Sequence, residues 1–186
     1  MTRSRRDVLR ATGLALTAGL AGCLDTLGGD AATDGADDAG TTSGREGLWL
    51  ESLDVGGSPG GDLRVEPPDS VVLLDFFATW CAPCKPEMEH LRAVRERFAP
   101  SELAMVSVTT ETDTEAVADF WREYEGTWPV AVDPELTASK RYDVTGIPTI
   151  VVRSADGETT LRHTGLAGTD RLVAGVERAL ATADGG

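Results

Sequence analysis

The chain reads Val71-Val72-Leu73-Leu74-Asp75-Phe76-Phe77 in its first strongly apolar stretch after residue 47, a run broken by a single acid. Continuous apolar runs of this length are the pattern of a strand buried on both faces. The period then changes. Over residues 87–98, Met88, Leu91, Val94 and Phe98 recur at helical spacing and predict an amphipathic helix. The alternation continues with a strand over 103–108 and a helix over 114–124 that has Val117, Phe120 and Tyr124 on one side. A short strand over 129–132 and a short helix over 135–142 follow. Strands over 149–152 and 159–162 flank Ser154-Ala155-Asp156-Gly157, whose Asp-Gly step signals a hairpin turn. Residues 170–180 close the pattern as an amphipathic helix. Strands alternating with helices predict an α/β layer with an antiparallel hairpin near the C-terminus. Trp49, Leu50 and Leu53 add a strand or two at the sheet edge within 48–65.

The first 47 residues follow no such pattern. Ser4-Arg5-Arg6-Asp7-Val8-Leu9-Arg10 precedes an apolar stretch of Ala, Leu, Gly and Thr over 11–21. That stretch is too short to span a bilayer but suits a signal peptide. Leu20-Ala21-Gly22-Cys23 follows, and the ordered series resembles a twin-arginine lipoprotein signal over 1–22 with Cys23 as the lipidated residue. Residues 23–47 then read as the lipidated cysteine and a flexible acidic tether, almost without large apolar side chains. As a coil, the tether reaches roughly 25–30 Å root-mean-square. The folded domain is expected over 48–183, exported by the twin-arginine route and held at the outer face of the cytoplasmic membrane.

Charge changes the picture of the partners. With 17 Lys+Arg against 31 Asp+Glu in 186 residues, the formal net charge is −14. So acidic a chain is repelled by phosphate backbones, which excludes nucleic acid as the expected partner. Lys85 and Lys140 are the only lysines. An acidic, lysine-poor chain resembles proteins of salt-loving archaea, and the expectation is a fold that weakens as salt is removed. Three cysteines are too few for a disulfide-stapled miniprotein or a four-thiolate zinc site.

Two of those cysteines stand where chemistry is expected. Trp80-Cys81-Ala82-Pro83-Cys84-Lys85 directly follows the buried strand and opens a helix. A thiolate at a helix N-terminus meets unpaired N–H groups and the positive end of the dipole, which lower its pKa. Cys81, nearer that end and nearer solvent, is the expected attacking sulfur. Cys84, further in and more buried, is expected to resolve the mixed disulfide.

Phe76-Phe77-Ala78-Thr79-Trp80-Cys81-Ala82-Pro83-Cys84-Lys85 resembles the active site of the thioredoxin superfamily. Val132-Asp133-Pro134, Ala138, Tyr142-Asp143-Val144 and Gly146-Ile147-Pro148-Thr149 are similar to its membrane-tethered extracytoplasmic branch, which includes the TlpA and ResA proteins. The resemblance covers about 48–180. It implies a thioredoxin-like α/β fold: a central mixed sheet flanked by helices, with an inserted βα unit and an N-terminal edge extension. It implies that Pro148 is a cis-proline facing a Cys81–Cys84 redox disulfide, and that Trp80 and Ile147 help bind substrate. It makes Asp75 the buried acid that relays a proton to or from Cys84, where the residue pattern alone also allows a strand-end acid reaching solvent. One departure is Pro86, which comes earlier than the proline of that branch and predicts an irregular helix start.

The resulting expectation is an anchored extracytoplasmic thiol–disulfide oxidoreductase with no cofactor and no metal. It would reduce disulfides of exported proteins, as in cytochrome c or copper-site maturation, and draw electrons from a membrane thiol donor. The same cysteines leave open a disulfide donor to secreted proteins, and a copper metallochaperone, since soft thiolates suit Cu(I). His90 and His163 read as plain surface, and Trp49, Trp121 and Trp128 as core or edge packing.

Overall fold

The structure, a computed structural model, describes residues 46–183. The expected signal peptide, Cys23 and nearly all of the tether lie outside the described residues. The fold is the expected α/β thioredoxin-like one. Its seven strands are β1 (Trp49–Val55), β2 (Ser58–Arg64), β3 (Val72–Phe77), β4 (Ala104–Thr109), β5 (Val130–Val132), β6 (Thr149–Arg153) and β7 (Thr159–Thr164). They lie in the order β2-β1-β5-β4-β3-β6-β7. Four helices complete the domain: α1 (Cys84–Arg97), α2 (Thr114–Glu123), α3 (Thr137–Arg141) and α4 (Thr169–Ala183).

β3 runs parallel to β4, and β4 to β5, because α1 and α2 carry the chain back between them. β6 pairs antiparallel with β3 on the other side, and β7 with β6. All six residues of β3 are buried. On one face, Leu73 and Phe77 join Met88, Leu91 and Val94 of α1, Val117, Phe120 and Trp121 of α2, and Leu172, Val176 and Ala179 of α4. On the other, Val72, Leu74 and Phe76 meet Val106, Val108 and Tyr142. Asp75 has the parity of the first face, so the acid points towards the helix that carries Cys84.

The ambiguous 48–65 segment is an antiparallel hairpin, with Val55 opposite Ser58 across the two-residue turn Gly56-Gly57. Gly56 has φ +58, and a Cβ on Gly57 would stand 2.0 Å from the carbonyl oxygen of Thr127. β1 docks this hairpin on β5 through Glu51–Val132 and Ser52–Ala131. The edge strand β2 contains Pro59 and two left-handed glycines, Gly60 (φ +73) and Gly61 (φ +70).

One expectation about the helices is corrected. α1 is a regular helix from Cys84, three residues before the apolar period begins, and Pro86 does not disturb it. Pro86 is the third helical residue, where the N–H it lacks would have had no partner within the helix. In α2, Val117 and Phe120 are buried on the expected side together with Trp121, and Tyr124, the C-cap, packs half-buried against the same core with its ring centroid 4.5 Å from that of Phe120.

Candidate active site

Where β3 ends, the chain makes a short turn before α1, and Cys81 and Cys84 bracket the helix start in a disulfide with Cα atoms 5.3 Å apart. The Cys81 N–H donates to Ala78 O at 3.1 Å and the Cys84 N–H to Cys81 O at 3.2 Å. Glu111, in the loop after β4, takes hold of this turn. Its carboxylate accepts from the Thr79 N–H at 2.7 Å and from the Thr79 hydroxyl at 2.8 Å. Trp80, next along, is 73% exposed. The expected contrast between a solvent-near Cys81 and a buried Cys84 is not present in the disulfide form. Both are buried, at 3% and 2% exposure, and share the cluster of Met88 and Leu91. The difference between them is in their neighbours. Trp80, Ala82 and Pro83 around Cys81 are exposed, whereas Cys84 heads the inner face of α1 with Glu87 and Met88.

Asp75 is 2% exposed, so it does not reach solvent. Its Oδ2 accepts from the Ser107 hydroxyl at 2.8 Å, and that hydroxyl's oxygen accepts from the Trp128 indole at 2.9 Å. Burial pushes the Asp75 carboxyl up to about 7, against the smaller opposing pull of the Ser107 bond.

A second buried carboxyl was not singled out in the sequence. Glu87, three residues after Cys84, is 1% exposed. Its Oε1 accepts from the Ala167 N–H at 3.0 Å, and its Oε2 has no hydrogen-bond partner. Burial first, then the charge of Asp75, push this carboxyl up to about 8. The signal was present: Glu87 stands in register with Cys84, Met88, Leu91 and Val94, an acid on the apolar stripe. Glu111, in a loop with no period, left no comparable signal.

The Ile147–Pro148 peptide bond is cis, as the resemblance implies. Phe76 pairs with Thr149, so Pro148 arrives at the same end of the sheet as the cysteine turn. The loop after β7 ties this end together. Gly165 N–H donates to Pro148 O at 2.8 Å, and two residues on Ala167 N–H holds Glu87. Ile147 borders a cleft with Ala78 and Trp80.

The histidines are less free than expected. Half-buried His90 pairs its Nδ1 with the Thr169 hydroxyl at 3.0 Å, joining α1 to α4, and His163 Nε2 lies 3.3 Å from Leu166 O. Trp121 and Trp128 are core, and Trp49 is at the edge. Among the described residues, no cluster of three or more His, Cys, Asp or Glu could hold a metal ion. No helix among them is long and apolar enough to cross a membrane.

Comparison with known proteins places these features in a family context. Residues 62–180 match the Redoxin family. The chain is 31% identical to the thiol-disulfide oxidoreductase ResA of Oceanobacillus iheyensis over 101 residues, 54% of this chain and 53% of that protein. It is 30% identical to the ResA of Bacillus subtilis over 94 residues, 50% of this chain and 52% of that one. The matches thus span about half the length of these curated relatives. Among solved structures, one described as a thiol:disulfide interchange protein DsbE from Chlorobium tepidum superposes with a TM-score of 0.60. It is 26% identical, with 72% of this chain and 96% of that one covered. StoA from Bacillus subtilis, at 22% identity and a TM-score of 0.57 over 67% of this chain and 92% of its own, shares the fold.

Proposed function

The chain belongs to the Redoxin family, and from that membership and the Cys81–Cys84 disulfide we propose that it is a thiol–disulfide oxidoreductase acting on exported proteins. The observation that carries this reading is the disulfide's position. It sits where a buried strand gives way to a helix N-terminus, beside an exposed tryptophan and a cis-proline loop. In the reduced enzyme, Cys81 attacks a substrate disulfide from the turn whose neighbours face solvent, aided by the helix dipole. A Cys81–substrate mixed disulfide forms and the first substrate thiolate leaves. Cys84 then loses its proton, attacks Cys81 Sγ and releases the second substrate thiol. Two electrons pass to the substrate, and the enzyme is left with the Cys81–Cys84 bond.

The proton of Cys84 needs an acceptor in a dry site. Asp75 and Glu87 have pKa values raised to about 7 and about 8, close to the pH at which a base both accepts and returns a proton. Trp80 and Ile147 border the cleft that receives the substrate segment, beside Pro148. Export by a twin-arginine signal over 1–22 and a lipid on Cys23 would hold the domain at the outer membrane face, with a membrane thiol carrier to re-reduce it. Apocytochromes and copper-site proteins are substrates of suitable chemistry.

Insulin reduction by the full chain in molar salt tests the reading. Cys81→Ser abolishes turnover, and Cys84→Ser accumulates a mixed disulfide with substrate. Retained turnover in Cys81→Ser overturns the assignment. The direction of electron flow is read from the potential of the couple: a value near about −270 mV makes a reductant, one near about −120 mV a disulfide donor.

A further inference from the structure

Trp80, Leu136 and Leu166 are the exposed large apolar side chains among the described residues. Two of them, Trp80 and Leu136, share one cavity of about 180 Å³ with Ile147, Phe76, Val108 and Val144, and no charged side chain lines it. In a chain of net charge −14 an uncharged wall of this kind stands apart. A buried apolar cavity of about 150 Å³ is large enough to hold benzene, so this one has the size of a single phenyl or branched aliphatic side chain.

Leu136 is the feature that makes it a built wall. Its φ is +60, a left-handed conformation in which the Cβ of a side-chain-bearing residue crowds the following carbonyl oxygen. Leucine has neither glycine's freedom from a Cβ nor the local side-chain hydrogen bond of asparagine to ease it. The conformation is enforced from below by Asp133, itself 1% exposed. The Asp133 carboxylate accepts from the N–H groups of Thr137 (2.6 Å), Ala138 (3.2 Å) and Ser139 (2.8 Å), and from the Ser139 hydroxyl at 2.9 Å. The Leu136 N–H donates to Asp133 O at 3.0 Å, and its own carbonyl accepts from Lys140 N–H at 2.9 Å. Backbone strain held by such a scaffold, at the rim of a cleft, points to function.

We propose that Leu136 is a specificity-determining residue, closing with Trp80 and Ile147 a slot for one apolar side chain of an extended substrate segment, next to the cysteine that Cys81 attacks. The inference rests on the oxidoreductase reading, because the slot selects only if a disulfide is brought to Cys81. The occupant is an aromatic or branched aliphatic side chain rather than a charged one, given the wall's lack of charge and the cavity's size.

The test uses two disulfide-bonded peptides of equal charge, one with Phe and one with Ser beside the attacked cysteine. Their single-turnover reduction by the pre-reduced full chain is compared with that of a small aliphatic disulfide. The native protein is expected to favour the Phe peptide by about tenfold, the discrimination typical of one apolar side chain in a pocket. Leu136→Asn and Leu136→Gly suit a left-handed backbone, so they should fold at least as stably while losing that preference through a higher half-saturating concentration of the Phe peptide. The rate of reduction of the small disulfide by each protein is the reference to which its two peptide rates are compared. Equal preference in native and variant proteins, or no preference at all, overturns the slot while leaving the redox reading in place. Failure of the native protein to reduce any of the three overturns the reading beneath it, and the slot with it.

Discussion

Asp75 and Glu87 show how far single residues depart from their usual chemistry once the fold encloses them. Each carboxyl is held protonated to a pH well above its ordinary 3.8 or 4.5, to about 7 and about 8. The unfolded chain releases these protons near pH 4, while the folded chain keeps them, so between pH 4 and 8 the native state binds more protons. Stability therefore falls as pH rises through that window, and the penalty is complete above both folded-state values. Asp75→Asn and Glu87→Gln keep an acceptor for Ser107 and for Ala167 but remove the charge. Each is expected to gain roughly 2–4 kcal/mol over the native protein at pH 8 and nothing at pH 4, by urea denaturation with the disulfide intact. Parallel native and variant stabilities across that range would show the carboxyls to be ionised in the fold. These two residues also mark what the sequence disclosed. Asp75 stood out because an acid interrupted an apolar strand. Glu87 lay equally in view, one charge on an apolar helical stripe, but an acid in the first turn of a helix has an ordinary explanation in the dipole. Only its burial against Ala167 separates the two readings.

At the scale of elements, the strong periods were legible and the boundaries set by hydrogen bonding were not. β3, α1 and α4 follow directly from apolar spacing. The β1–β2 hairpin carries its turn openly in Gly56-Gly57, yet β2 is Ser-Pro-Gly-Gly-Asp-Leu-Arg, with no alternation to announce a strand. It exists because β1 supplies a template. α3 is only five residues long and has no apolar period to speak of; it depends on its cap. Asp133 satisfies three N–H groups that the helix itself cannot, so Asp133→Ala is expected to cost about 2 kcal/mol, the upper end for loss of a cap. The denaturation midpoint should fall with an unchanged m-value. An unchanged midpoint would mean that packing of Ala138 and Tyr142 alone holds the element.

For the molecule as a whole, charge sets the conditions under which all of this operates. Residues 1–22 hold four arginines and one aspartate, so their removal would take the net charge from −14 to −17. Such an excess works against a compact state, and salt at 1 M cuts the Debye length to about 3 Å. The melting temperature is expected to rise steadily from 0.1 M to 2 M salt, by differential scanning fluorimetry; a flat response would remove the halophilic reading. Salt that screens this charge also strips away the mutual repulsion that keeps acidic molecules from adhering. Protection against edge-to-edge growth of the sheet must then come from shape. At one of the sheet's two edges β2 supplies it: Pro59 lacks an N–H to offer, and Gly60 and Gly61, both at positive φ, bend the backbone out of the flat register an incoming strand would need. Colloidal stability at this edge is built into backbone geometry, a safeguard that concentrated salt does not screen.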